Sequence, residues 1–152
     1  MSLTDVVEKL NAANLREDWG EVLKWEGRMD EMMERQPDAE CGFILEVFAN
    51  AHYRSFNSTG SHDHSLSIVR LKTRLADVLG RMQRFRDQGE VMCAIAENLQ
   101  TIGKTQEAAG YFQRARKLGE EHGFFVLECQ SCFGLGHLAS SEGRNEEGLE
   151  LL

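Results

Sequence analysis

Residues 92–108 read Met92-Cys93-Ala94-Ile95-Ala96-Glu97-Asn98-Leu99-Gln100-Thr101-Ile102-Gly103-Lys104-Thr105-Gln106-Glu107-Ala108, and residues 132–148 read Cys132-Phe133-Gly134-Leu135-Gly136-His137-Leu138-Ala139-Ser140-Ser141-Glu142-Gly143-Arg144-Asn145-Glu146-Glu147-Gly148. The two stretches are forty residues apart. Small residues recur at Ala96 and Gly136 and at Ala108 and Gly148, and a glycine followed by a base recurs at Gly103-Lys104 and Gly143-Arg144. Self-similarity at a fixed period is the mark of a repeat architecture. Its physical content is helix packing: where two helices cross closely only Gly or Ala lets the backbones approach, and a large residue from the facing helix fills the hollow. Ala96, Ala108 and Ala115 mark such crossings, while Ile95, Leu99, Phe112 and Leu118 recur at helical spacing and supply buried volume. Gly103 is expected to end one helix in the left-handed conformation and Thr105 to cap the next.

Small residues near the middle of each helix, Gly-Lys or Gly-Arg at the turn, and the run Glu107-Ala108-Ala109-Gly110-Tyr111-Phe112 resemble a tetratricopeptide repeat. The spacing exceeds the usual thirty-four residues and is similar to the extended variants of about forty. No proline follows Leu118, where that family commonly closes a repeat. The resemblance implies an all-α fold, a right-handed superhelix of antiparallel helix pairs, and a role in binding a partner protein or peptide along the concave groove.

Working outward, Leu79-Gly80 matches Leu118-Gly119, which puts Val69, Thr73 and Ala76 on the packing stripe of an earlier second helix. Its partner helix surrounds Phe43, Ile44, Phe48, Ala49 and His52. Between them Asn57-Ser58-Thr59-Gly60-Ser61-His62-Asp63-His64 reads as an exposed loop, an insertion of about eight residues. A first, degenerate pair is expected from Val6, Val7, Leu10 and Leu15, then Asp18 as a cap, then Val22, Leu23, Trp25, Met29, Met32 and Met33. A single domain over 1–152 then holds approximate repeats at 3–37, 39–80, 84–121 and 124–152, the last incomplete. A truncated final pair would leave an apolar face for self-association or for docking a missing remainder.

Composition agrees with helices: Pro37 is the one proline of 152 residues, so almost nothing interrupts the backbone ladder. No apolar run is long enough to span a bilayer, and no positively charged start precedes an apolar stretch, so no membrane partner and a cytoplasmic location are expected. The net charge of −8 disfavours nonspecific attraction to nucleic acid. The segment 65–89 is nevertheless basic, with Arg70, Lys72, Arg74, Arg81, Arg84 and Arg86 against Asp77 and Asp87. Pairing with acidic neighbours is its expected role, a helical-repeat nucleic-acid surface the alternative.

The resemblance places Phe43, Glu46, Asn50 and Tyr53, then Cys93, Glu97 and Gln100, then Phe133, His137 and Ser140 along the partner-binding groove. A basic carboxylate clamp is not expected there, because Cys93, Glu97, Phe133 and His137 stand at the comparable places. A ligand- or peptide-sensing regulatory protein is the alternative function. Cys129-x-x-Cys132 lacks the second thiol pair of a zinc site, so these are read as small core residues, and Cys41 and Cys93 as reduced thiols. His62-Asp63-His64, with His52, offers metal-type donors that a solvated loop explains equally well. Trp25, Met29, Met32 and Met33 read as core. No nucleophile elbow, phosphate loop or zinc-protease signature occurs, so neither an enzyme nor a cofactor or metal is expected.

Overall fold

The computed structural model describes residues 2–142, which are helical throughout, with no strand among them. Helix α1 spans Leu3–Leu15 and α2 Trp19–Lys24; a 3-10 turn at Glu26–Arg28 leads into the short α3, Met29–Met33. Five longer helices follow: α4 Asp38–Thr59, α5 His62–Arg81, α6 Phe85–Thr101, α7 Thr105–His122 and α8 Phe125–Ser141. Each of α4 to α8 packs on its neighbour in the chain, and α6 also touches α8. Helices α6 and α8 start forty residues apart, at Phe85 and Phe125.

One turn recurs. After α1, α5 and α6 the chain passes through a residue of positive φ, Glu17, Gln83 or Gly103. The next residue's amide then bonds back across it, Asp18 to the Ala13 carbonyl, Arg84 to Leu79 and Lys104 to Leu99, at 2.8–3.0 Å. This satisfies a carbonyl that the helix end would leave bare. Gly103 adopts the left-handed conformation the sequence predicts, at φ +82°. Thr105 does not cap: it is the first residue of α7, and Lys104 holds the cap position without a side-chain bond. Asp18 does cap, accepting from the Glu21 amide at 3.2 Å.

The loop expected at 57–64 is instead a tight turn between two long helices. Ser58 and Thr59 donate back to the carbonyls of Arg54 and Ser55, so polar residues that compete for the backbone elsewhere are accommodated in the last turn of α4. Gly60 then closes α4 at φ +68°, and the Ser61 hydroxyl accepts from the Asp63 amide to start α5. Composition reads as loop here because two caps stand side by side.

The core runs continuously from Val6, Leu10 and Val22 through Leu45, Phe48, Leu71 and Leu75 to Ile95, Leu99, Phe112 and Leu127. Met29 and Met32 are buried, with Trp25 and Met33 packed beside them. Leu15, expected on the apolar stripe of the first pair, is 84% exposed in the last turn of α1. On α5 the buried stripe is Ser65, Ile68, Leu71, Leu75 and Leu79. Val69 and Thr73 are only half-buried, and Ala76 alone of the expected trio is buried.

Close crossings fall where small residues stand. Ala96, Ala108 and Ala115 are fully buried. A methyl added at Gly134 would overlap the Phe112 ring of α7, and one at Gly89 would overlap Leu127 of α8. At Gly119 the obstacle includes backbone, with the Glu128 nitrogen 3.0 Å from where a Cβ would lie. Gly143-Arg144 and Gly148 lie outside the described residues.

Candidate functional site

Helix α4 turns Phe43, Glu46, Asn50 and Tyr53 outward on one stripe, at spacings of three, four and three residues. Phe43 and Tyr53 are about half exposed, at 51% and 50%. Across from them α6 presents Ala94, Glu97 and Asn98, and α5 runs between the two with Ile68, Lys72 and Leu75 as the floor. Together these helices enclose a cleft of about 370 Å³. A larger hollow, about 480 Å³, lies between α7 and α8 and opens beside Glu142, where the described residues end.

Lys72 is the cleft's distinctive group. Burial pushes its ammonium below the usual lysine range, an effect opposed by the negative charges of Glu46 and Glu97 on the facing helices and by Tyr53. It makes no direct ion pair among the described residues. The cleft therefore has a cationic floor, two carboxylates on opposite walls, amides at Asn50 and Asn98, and an aromatic ring at Tyr53. Asn98 spends one amide proton on the Ala94 carbonyl at 2.9 Å. Lys72 is absent from the residues that the sequence reading places along the groove. Its signal is there: Ile68, Lys72, Leu75 and Leu79 follow one helical stripe, on which a lone lysine interrupts apolar residues.

The remaining groove candidates separate. Cys93 is fully buried in the core, one residue out of register with the cleft-lining Ala94. Burial pushes its thiol up to about 12, with Glu97 and Glu90 adding to the shift. Gln100 of α6 and His137 of α8 come together, the Gln100 Nε2 lying 3.3 Å from His137 Nδ1, beside Ser141 at 3.4 Å. Phe133 is 64% exposed on α8, and Ser140 is exposed on the same helix. None of Gln100, Phe133, His137 and Ser140 lines the α4–α6 cleft.

The basic segment is largely occupied. Arg70 donates to Glu26, Arg74 to Asp30 and Arg81 to Asp38, each tying α5 to an element some forty residues earlier, at 2.7–3.2 Å. Arg84 pairs with Asp87, and Arg86 lies over the Phe124 ring at 5.1 Å. Of the six bases, only Lys72 faces the cleft.

The four cysteines are free thiols. Cys129, expected in the core, is exposed, because α8 turns Leu127 and Ser131 inward instead. His62, Asp63 and His64 form the first turn of α5, where His64 meets His52. No group of three or more metal-type donors converges among the described residues. No described helix is long and apolar enough to cross a membrane. No family model matches the chain, and no curated protein matches it.

Proposed function

We propose that this chain is a protein-interaction module of the tetratricopeptide type, in which successive helix pairs form a right-handed superhelix and a partner protein or peptide lies in the cleft between α4, α5 and α6. The observation that carries the reading is the cleft itself. Two glutamates on facing helices, a lysine on the floor with no direct ion pair among the described residues, and the half-exposed Tyr53 ring form a polar and aromatic surface open to a partner. Backbone carbonyls of an extended segment suit the Lys72 ammonium and the Asn50 amide, and Tyr53 and Phe43 offer rigid apolar contact at small entropic cost. The consumption of Arg70, Arg74, Arg81 and Arg84 in ion pairs supports a protein rather than a nucleic-acid partner.

The test begins with isolation of a partner on the full chain. Its affinity is then measured for Tyr53→Ala, Glu97→Ala and Lys117→Ala, the last an exposed residue of α7 outside the cleft. The reading expects losses of tenfold or so for the first two and none for the third, the size of a single anchor in an interface. Unchanged affinity in a Tyr53→Ala/Glu97→Ala double variant with intact helical circular dichroism refutes it.

A further inference from the structure

On α4 His52 stands next to the cleft-lining Tyr53, and on α5 His64 stands one turn before the cleft-lining Ile68. The two rings turn their Nδ1 atoms toward each other across 2.8 Å. His52 is only 7% exposed, and its Nε2 lies 2.8 Å from the Glu26 carboxylate, whose second oxygen accepts from Arg70 at 2.8 Å. With both rings neutral, Glu26 fixes the tautomers: His52 Nε2 donates to the carboxylate, His52 Nδ1 accepts, and His64 Nδ1–H donates to it. The bond needs one proton between two nitrogens. His64 Nε2 has no bond among the described residues, so a first added proton settles there and leaves the Nδ1 bond in place, now charge-assisted. A second finds only the His52 Nδ1 lone pair, which the bond already uses.

We infer that His52 and His64 form a proton-operated latch between α4 and α5, closed with at most one added proton and opened by the second. Two N–H groups cannot face each other at 2.8 Å. The two charged rings, with centroids 5.1 Å apart, would also share with Arg70 a single counter-charge, Glu26. Burial and Glu26 hold His52, so the half-buried His64 is the ring that leaves. It lies in the first turn of α5, where unpaired amides already make the potential positive and Asp63 is the one acid. The other charged groups on the packed elements are engaged elsewhere or exposed. Glu21 pairs with Lys24, Glu31 with Arg28 and Asp30 with Arg74; Glu46 and Glu97 act on Lys72; Arg54, His62 and Asp63 are exposed. The unfolded chain takes a proton on each ring and the closed latch takes one, so acid favours opening. Release of His64 loosens the tight turn at Gly60 and Ser61, beside Tyr53 and Ile68. Its bearing on partner binding rests on the cleft reading above, whereas the latch itself is tested without a partner.

The test follows ring-nitrogen and amide magnetic resonance signals of the full chain from about pH 8 to about pH 4.5, a span that brackets the ordinary histidine value of about 6.5. The amides of residues 57–66 should hold their positions through the first protonation, then shift and exchange faster with solvent as His52 Nδ1 takes the second proton. Both rings charged at the acid limit with those amides unmoved overturns the latch. So does a pair that still holds a single added proton there, or a His52 that charges before His64. His64→Phe keeps a ring in place and removes its protons. On acidification across the same span, wild type should lose about 2–4 °C more of melting temperature than this variant, the size of one hydrogen bond. His62→Gln, in the same helical turn but outside the pair, should match wild type. Equal losses in wild type and His64→Phe overturn the latch, and should His64→Phe fail to fold, the wild-type titration decides alone.

Discussion

Adding one methyl at Gly134 sets two effects against each other. Alanine in a helix interior is favoured over glycine by about 1 kcal/mol, through backbone entropy. At Gly134 the same methyl would overlap the Cε1, Cζ and Cδ1 atoms of Phe112, a ring only 2% exposed and walled in by the core. Forcing extra volume into a packed site costs about 1–3 kcal/mol. Gly110 is the internal control: it too sits within a helix, α7, and a methyl there meets nothing within 4 Å. The propensity term is common to both, so the difference between Gly134→Ala and Gly110→Ala isolates the overpacking. With roughly 2–4 °C of melting temperature per kcal/mol for a chain of this size, Gly134→Ala should melt roughly 2–12 °C below Gly110→Ala. Thermal circular dichroism reads this directly, with urea midpoints as a check. Phe112→Leu in the Gly134→Ala background should recover part of the loss. Equal melting of the two alanine variants would refute the claim that α7 and α8 cross at a hollow shaped for one ring.

Gln83 holds a left-handed conformation, φ 58°, that costs a residue with a Cβ about 1–2 kcal/mol, so Gln83→Gly should stabilise the chain by up to about 1 kcal/mol after the unfolded-state entropy of glycine is subtracted; a urea midpoint that falls would count against it. The Ser65 hydroxyl is buried without a hydrogen-bond partner among the described residues, whereas Ser131 donates to the Leu127 carbonyl at 2.9 Å. Ser65→Ala should therefore be neutral or stabilising and Ser131→Ala destabilising by about 1 kcal/mol, a contrast lost if both fall equally. Cys93 keeps its proton in the folded chain up to about 12, well above its ordinary value, so its contribution to stability is whole below the unfolded pKa and drains away as pH climbs from there through the folded value. Cys93→Ala should flatten that alkaline decline, and iodoacetamide at neutral pH should label the exposed Cys129 well before Cys93, as mass spectrometry of digests would show. Lys72 runs the other way: its folded pKa lies below the unfolded value, so its penalty is present at neutral pH and disappears as pH passes the ordinary lysine value. Lys72→Met should accordingly raise the melting temperature at pH 7 and lose that advantage above about pH 10.5; an advantage that persists there would exclude desolvation as its cause.

The helices from 85 onward are legible because their signal is redundant: Ala96, Ala108 and Ala115 stand at crossings, and Gly103 ends a helix in the left-handed conformation that favours glycine. The turn at Gly60 was illegible for the opposite reason. Ser, Thr and Asn can open a loop or finish a helix by bonding back one turn, and composition alone does not separate the two. Val69 on α5 and Cys93 on α6 each stand one residue from the side chain that takes the expected place, Ile68 and Ala94, which is enough to exchange a groove for a core because adjacent helical positions differ by about 100°. Lys72 needed the idea that a long aliphatic stem can lie in an apolar stripe, and the meeting of His52 with His64 required knowing that the intervening turn is tight.

The contacts that join the elements link near neighbours in the chain: each of α4 to α8 rests on the helix before it, and the three arginine tethers of α5 reach back only some forty residues. Such short loops close quickly and at modest entropic cost. During synthesis, each helix can therefore settle onto its predecessor soon after leaving the ribosome, without waiting for a distant strand or a far terminus to arrive.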